Sequence, residues 1–221
     1  MIVENIERND IMSLCGMTVF PDGIVAFADS KATKRNELNF PIEDENRHPQ
    51  KIIQNQDIII VTTGNNYIID EDSHELVKIE DVLQNIIDSY TKKVLASIDD
   101  VIDKIMHVCR QSINLNNSFR YSFVIGAKEN LRQYYIQDVQ ISKTSVCRGQ
   151  KIYGTPEKYI ACFIGDESYT EPIGKFKWEK NFSKEKYASV IPTVINNLII
   201  INDNILSYNP VGGNIHVEIF Q

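Results

Sequence analysis

The sequence predicts an α+β fold: a four-layer sandwich of two antiparallel sheets between two layers of helices. Three observations lead to this prediction. Short runs rich in Ile and Val are bounded by turn residues, helical segments have one apolar side, and both kinds of segment come in blocks along the chain. Strands come first, then two helices, more strands, more helices and a last strand. Because a one-sided helix must bury its apolar stripe, this order favours sheets that are covered by helices.

The predicted strands are short apolar runs between turn residues. One run follows the turn residues Asp22 and Gly23, and another, Ile-Ile-Ile-Val at 58–61, leads to Gly64. A last run follows Gly212 and Gly213 near the C-terminus. Because β-branched residues fit a buried, pleated surface, each run is predicted to be a strand of the core.

Helices are predicted where apolar residues recur every three or four positions. One series runs over 79–90, and a second runs over 101–113 after Ser97, whose hydroxyl can cap free amide groups. A third helical segment is predicted over 185–206, with Pro192 inside it. Proline lacks an amide hydrogen, so the sequence predicts either a kink or a helix start near Pro192.

The composition predicts one domain over residues 1–221. The chain is 43% hydrophobic and 24% charged, and no linker rich in Pro, Gly or Ser divides it. Its apolar runs are far shorter than the ~20 residues of a membrane span. Residues 1–12 include Glu4, Glu7 and Asp10, which do not fit the apolar centre of a secretion signal. We therefore expect a cytoplasmic protein with no membrane partner.

Charge and cysteine usage exclude several classes of function. A net charge of -7 argues against a nucleic-acid partner, which would require a basic face. The four cysteines and four histidines show no metal-ligand or disulfide spacing, and no zinc-peptidase or α/β-hydrolase motif is present. The sequence predicts no metal site and no cofactor.

The block over residues 22–33 has a more specific pattern. Its turn, its apolar strand and its ending Asp-Ser-Lys-Ala-Thr resemble the opening of proteasome β-type subunits, which belong to the N-terminal-nucleophile hydrolase superfamily. In that family the nucleophile lies sixteen residues before this aspartate, and the same count back from Asp29 reaches Ser13. The chain is therefore identified as a divergent prokaryotic member of that family.

The resemblance extends along nearly the whole chain. Lys51 and Gly64 stand where the family has a lysine-containing strand and the glycine after the next strand, and residues 39–48 form an insertion before them. The segments at 122–127, at Gly154-Thr155 and at Gly212-Gly213 are similar to later blocks of the family, in the same order.

The resemblance implies a catalytic site made of Ser13, Asp29, Lys51 and Gly64. Cleavage of the bond between Met12 and Ser13 would expose an α-amine that takes the proton of the Ser13 hydroxyl. Residues 1–12 would then be a short propeptide or N-terminal extension. Lys51 would stabilise the oxyanion, Asp29 would orient Lys51, and the Gly64 amide would donate to the oxyanion.

The resemblance also implies partners and supporting residues. Thr33 and Gly64 would flank an extended peptide or amide substrate as added strands. Thr155 would supply a supporting hydroxyl. A homo-oligomeric ring is expected, with the apolar helices around Ile86 and Ile105 as contact surfaces.

Three positions depart from the active family members. Met12 stands where they have glycine before the nucleophile, and Tyr208 and Val211 stand where they have an aspartate and a serine. The sequence therefore leaves a second interpretation open. In it the chain is a catalytically silent ring subunit, or a binding or assembly protein, that stays uncut.

Overall fold

A computed structural model describes residues 13–35, 41–45, 47–130, 133–155, 160–176 and 182–221. Residues 1–12, the predicted propeptide or extension, lie outside the described residues. The strands are β1 (Leu14–Phe20), β2 (Gly23–Asp29), β3 (Thr33–Arg35), β4 (Pro41–Glu43), β5 (Ile52–Gln54), β6 (Ile58–Gly64), β7 (Tyr67–Ile69), β8 (Leu76–Lys78), β9 (Tyr121–Asn130), β10 (Gln133–Ile141), β11 (Val146–Arg148), β12 (Ile152–Tyr153), β13 (Ile160–Gly165) and β14 (Ile215–Phe220). The helices are α1 (Ile79–Thr91), α2 (Ile98–Leu115), α3 (Glu167–Lys175) and α4 (Lys184–Asp203).

Two antiparallel sheets form the centre of the fold. The first has the strand order β13-β1-β2-β14, and the second has the order β11-β10-β9-β6-β5 with β12 paired to β10. In the first sheet, Leu14 pairs with Gly165 and Ile215 pairs with Asp29. The start of β1 and the end of β2 therefore lie at the same end of that sheet.

Three apolar clusters fill the spaces between neighbouring layers. One packs α1 and α2 on the second sheet, one fills the space between the sheets, and one packs α3 and α4 on the first sheet. Alternate residues of a strand face opposite sides, so Cys15 and Met17 face the second sheet whereas Leu14 faces the helices. The predicted four-layer α+β sandwich is confirmed.

The helices agree with the sequence patterns except in two places. The hydroxyl of Ser97 caps α2 as predicted, in a reciprocal capping box with Asp100. Helix α4 begins at Lys184 and continues through Pro192, so the prediction of a start near Pro192 is wrong. Helix α3 was not predicted individually, because Pro172 and Gly174 weaken the helical pattern of its short sequence.

The apolar stripes of α1 and α2 are used within the chain. Ile86 and Ile105, which the sequence suggested as contact surfaces for other copies, are 6% and 0% exposed and belong to the core on the second sheet. That expectation is wrong, because packing on the sheet already buries them. Among the described residues, no helix is both long and apolar enough to cross a bilayer.

Candidate active site

Ser13 lies immediately before β1 and is held by the end of β13. Its backbone carbonyl accepts a hydrogen bond from the amide of Asp166 at 2.9 Å. Gly165 has a φ of 134°, and a Cβ at this position would overlap the carbonyl oxygen of Ser13. The glycine therefore allows the close approach that fixes the Ser13 backbone.

Asp29 lies at the end of β2, beside Ser13. Its Oδ1 accepts hydrogen bonds from the Ser13 hydroxyl at 2.8 Å and from the Leu14 amide at 2.9 Å. Its Oδ2 lies 3.4 Å from the donating amide of Gly212. The Asp29 side chain is 0% exposed, so these donors replace the water that an exposed carboxylate would bind.

Lys51 lies just before β5 and completes the cluster. Its Nζ donates to Ser13 Oγ, to Asp29 Oδ1 at 2.8 Å and to the carbonyl of Lys31 at 2.8 Å. Because an ammonium group has three N–H donors and no acceptor, these partners match a charged lysine. The Lys51 side chain is only 4% exposed. Ser13 Oγ thus accepts from an ammonium group and donates to a carboxylate, both of which are buried.

This arrangement has a defined chemical capacity. An ammonium group that donates to an oxygen stabilises negative charge as it develops there, and it does so more strongly in a buried site than in water. Asp29 balances the charge of Lys51 and fixes its direction. The cluster can therefore stabilise an anionic oxygen at Ser13 or close to it.

Gly64 ends β6, and its backbone direction follows from the strand register. The amide of the next residue, Asn65, donates to the carbonyl of Arg120 at 2.9 Å. Thr62 and Gly64 are two residues apart on β6, so their amides point to the same side of the strand, away from β9. The Gly64 amide therefore points to the side on which the Thr62 amide donates to the Lys51 carbonyl at 3.0 Å.

Glycine at position 64 is required by its neighbours in the sheet. Gly64 has a φ of 100°, and a Cβ there would overlap the backbone carbonyl of Arg120. A side chain at position 64 is thus excluded by the neighbouring strand and by the left-handed backbone.

Thr33 lies on β3, which pairs with β4 along one of its two edges. The Asp44 amide donates to the Ala32 carbonyl at 2.9 Å, so the amide and carbonyl of the next residue, Thr33, point away from β4. The Thr33 hydroxyl shares a hydrogen bond of 3.0 Å with the hydroxyl of Tyr208. The backbone edge at Thr33 therefore has the geometry that an added strand requires.

Thr155 does not lie beside Ser13. The adjacent Gly154 packs so closely on Phe20 that a Cβ would overlap the Phe20 carbonyl. Phe20 is at the far end of β1, about 20 Å along the strand from Ser13. The predicted supporting role of Thr155 is therefore wrong, because its segment pairs near the opposite end of the sandwich.

Asp166 lies beside Ser13 instead, and the sequence did not lead us to it. It follows Gly165, donates its amide to Ser13 and caps α3 by accepting from the Ser168 amide at 2.9 Å. A glycine followed by an Asp-x-Ser helix start is a detectable signal. It was overlooked because α3 itself was not predicted.

The loop over 208–213 supplies Gly212 to Asp29 and is anchored by Asn209, also missed. Asn209 is buried, and its Oδ1 accepts from the Tyr169 hydroxyl at 2.6 Å and from the Val211 amide at 3.2 Å. Its backbone carbonyl accepts from Lys31 Nζ at 2.9 Å. Val211 is 1% exposed and belongs to the apolar cluster under α3 and α4.

Comparison with known proteins supports a proteasome-like fold. No protein-family model and no curated protein sequence matches the chain. Among solved structures, it is similar to Anbu from Hyphomicrobium sp. strain MC1, with a TM-score of 0.52 and 13% identity over 94% of this chain and 82% of the other. It is similar to Anbu, described as an ancestral beta-subunit, from Yersinia bercovieri, with a TM-score of 0.54 and 14% identity over 94% and 81% of the two chains. The helical assembly of the Anbu complex from Pseudomonas aeruginosa gives a TM-score of 0.52 and 14% identity over 94% and 81%.

These comparisons correct the family suggested by the sequence. The three solved structures described above are Anbu proteins, which are proteasome-like but distinct from the proteasome β-type subunits. The prediction of membership in the β-type subunit family is therefore wrong. At 13–14% identity the likeness establishes the fold alone.

Proposed function

We propose that the protein is an N-terminal-nucleophile hydrolase that cleaves peptide or other amide bonds through Ser13. One observation carries the proposal: the Ser13 hydroxyl lies between the ammonium group of Lys51 and the carboxylate of Asp29 in a buried cluster. Buried opposite charges that converge on a hydroxyl are the features that activate a nucleophile and stabilise its anionic products.

The first step is cleavage of the bond between Met12 and Ser13. It adds water across that bond, gives Met12 a carboxylate and leaves Ser13 with a free α-amine. An α-amine has an unperturbed pKa of about 8, so part of it is neutral near neutral pH. The neutral amine accepts the hydroxyl proton of Ser13 when the hydroxyl attacks.

Substrate cleavage then follows through an ester on Ser13. Ser13 Oγ bonds to the carbonyl carbon of the substrate, and Lys51 and the Gly64 amide stabilise the resulting oxyanion. The C–N bond breaks, and the protonated α-amine of Ser13 returns its proton to the leaving amine. Water hydrolyses the ester by the same route, which releases the acid product and regenerates Ser13.

The substrate is proposed to bind as an extended strand. The backbone at Thr33 points away from β4, and the backbone at Gly64 points away from β9. Main-chain hydrogen bonds at such edges hold a peptide without selecting its side chains.

A catalytically silent protein is the second candidate function, and the loop over 208–213 favours it. Val211 contributes a buried apolar side chain to the cluster under the helices, and the Tyr208 hydroxyl is engaged by Thr33. Neither side chain offers the hydrogen bonds that an aspartate and a serine would give at these positions. In this case the bond between Met12 and Ser13 stays intact, and the protein serves assembly or binding.

We also propose a single domain over 1–221 that forms homo-oligomers. The Anbu complex of Pseudomonas aeruginosa is described as a helical assembly. In the present chain Ile200, Ile201 and Ile205 are 61%, 51% and 72% exposed, which gives the C-terminal end of α4 and the turn after it an apolar surface. Sedimentation that finds only a 25.3 kDa species at micromolar concentration would contradict oligomer formation.

The function is tested by intact mass and by one substitution. A mature chain that begins at Ser13, together with peptide hydrolysis that Ser13→Ala abolishes, is expected. Ser145→Ala serves as a matched control, because Ser145 is an exposed serine just before β11 whose hydroxyl bonds that of Ser142. A chain with an intact N-terminus and no hydrolysis of a diverse peptide library selects the silent protein.

A further inference from the structure

The segment over 47–51 contacts the segment over 62–66 at two points. At one end the Lys51 carbonyl accepts from the Thr62 amide at 3.0 Å. At the other end Arg47 Nη2 donates to the Asn66 carbonyl at 2.9 Å. Gly64 lies midway between these two attachments. The backbone is therefore held on both sides of Gly64.

Arg47 is fixed at this position by contacts on several sides. Its guanidinium carbon lies 4.2 Å from the centre of the Tyr67 ring. Its Nη2 also donates to Glu80 Oε2 at 3.0 Å, in the first turn of α1. The side chains of Arg47 and Glu80 are 10% and 15% exposed, so this pair is well shielded from solvent. The planar group thus connects a surface segment, the turn after β6 and a core helix.

The turn after Gly64 is attached to α1 by a second contact as well. Arg47 lies between β4, which pairs with β3, and β5. The Asn66 carbonyl that Arg47 binds also accepts from the Ile79 amide at 3.1 Å. The turn after Gly64 is therefore tied to α1 both directly and through Arg47.

We propose that Arg47 is a positioning residue that sets the direction of the Gly64 amide and thereby places the oxyanion donor opposite Ser13. This role rests on the proposed hydrolase function. Arg47 does not touch the substrate; it acts through Asn66 and the turn that follows Gly64. Preorganised donors lose their effect when they are displaced by about 1 Å, so a contact two residues away is close enough to matter.

The chemistry of arginine explains why lysine is a poor substitute. A guanidinium group stacks on an aromatic ring while its in-plane N–H groups bind a carbonyl and a carboxylate. An ammonium group is a compact point charge and cannot keep the same plane. Arg47→Lys should therefore retain the ion pair with Glu80 but hold the turn less firmly.

The test compares Arg47→Met and Arg47→Lys with Lys184→Met in the processed protein. Lys184 is a suitable control because its side chain is 7% exposed and pairs with Asp22, at the opposite end of β1 and β2. Hydrolysis of a fluorogenic peptide amide is measured per active site. Active sites are counted by exhaustive labelling with a fluorophosphonate, with mass mapping of the label to Ser13. This normalisation removes any loss that comes from misfolded protein.

We expect kcat per labelled site to fall by about tenfold to a hundredfold in Arg47→Met and by less in Arg47→Lys. The pH dependence of kcat/KM should not change, because Ser13, Lys51 and Asp29 remain in place. Lys184→Met should lower the melting temperature and leave kcat per site within about twofold of the parent.

Each outcome decides between the alternatives. Arg47→Met that retains kcat per site within about twofold of the parent overturns the positioning role while the hydrolase function stands. If Arg47→Met yields no folded protein, Arg47→Lys decides by the same criterion. A parent that hydrolyses no peptide and takes no label at Ser13 removes the hydrolase function and the positioning role together.

Discussion

The ammonium nitrogen of Lys51 lies 2.8 Å from Oδ1 of Asp29, and the same oxygen accepts a hydrogen bond from the Ser13 hydroxyl. Their side chains are 4% and 0% exposed. Removing one charge of such a pair leaves the other charge buried, which costs more than the pair contributes when intact. The stability of the fold and the chemistry at Ser13 therefore depend on the same contact.

The ion pair predicts strong coupling between two substitutions. Lys51→Met and Asp29→Asn should each lower the free energy of unfolding by about 3–5 kcal/mol, because each leaves an unpaired buried charge. The double variant should be destabilised by much less than the sum. Urea denaturation of all four proteins measures the coupling. Lys175→Met, which breaks the exposed pair with Glu171, should leave the midpoint unchanged. Additive effects of Lys51→Met and Asp29→Asn would contradict the buried pair.

Two glycine substitutions should have opposite effects on stability. Gly165→Ala should destabilise the protein by about 1–3 kcal/mol, since its φ is 134° and its methyl group would displace the Ser13 carbonyl. Gly174→Ala lies in α3, where the described residues outside that turn of helix place no atom within 4 Å of the new methyl group. It should stabilise by about 0.5–1 kcal/mol. Thermal melting compares the two, and equal effects would be inconsistent with close packing at Gly165.

Asn209 should contribute more to stability than its loop position suggests. Asn209→Ala leaves the buried Tyr169 hydroxyl and the Val211 amide without their acceptor, at a cost of about 2–3 kcal/mol. Tyr169→Phe removes only one hydrogen bond and should cost about 1 kcal/mol. Urea denaturation of both variants provides the measurement. A cost for Asn209→Ala that does not exceed the cost for Tyr169→Phe would show that the loop is held by other contacts.

Val211→Ser tests whether a hydroxyl at this position serves the site. The side chain packs in the apolar cluster under α3 and α4, so the serine hydroxyl would be buried among apolar groups. We expect a loss of about 1–3 kcal/mol in unfolding free energy and no increase in hydrolysis of a peptide substrate. Val211→Thr is the matched control for shape. A gain in hydrolysis with Val211→Ser would mean that the hydroxyl reaches the site.

The cysteines should differ sharply in reactivity. Burial raises the pKa of the Cys15 thiol well above its ordinary range, and it raises the pKa of Cys162 to about 11. The thiolate is the reactive form. Raising the pH from 7 to about 9 should therefore not make either thiol react with iodoacetamide in the folded protein. Exposed Cys147 should be alkylated first. Peptide mass mapping checks this, and alkylation of Cys15 before unfolding would contradict the buried position.

Sequence patterns predicted the elements whose signals are local. The spacing of apolar residues located α1 and α2, because burial of one side of a helix repeats with the helical period. The capping residue Ser97 marked the start of α2. Ser13, Asp29 and Lys51 were implied by the resemblance to the β-type subunits, and the structure brings these three side chains together.

The parts that were missed depend on distant contacts. Gly165 and Asp166 touch Ser13 from a strand that pairs with β1 across more than a hundred residues of sequence. The prediction for Thr155 was wrong for a similar reason. Gly154 and Thr155 follow the short strand β12, and their sequence does not show which end of β1 they lie beside. Asn209 has an ordinary loop sequence, and only the fold brings Tyr169 to it.

The ion pair between Lys184 and Asp22 closes the turn between β1 and β2, at the end of the sheet away from Ser13. Mutations at these two ends should therefore have different evolutionary costs. Substitutions near Asp22 reduce the number of folded molecules, whereas substitutions at Asp29 reduce that number and also change the charges around the Ser13 hydroxyl. Stabilising changes at the turn would therefore offset part of the stability that divergence at the Ser13 end removes.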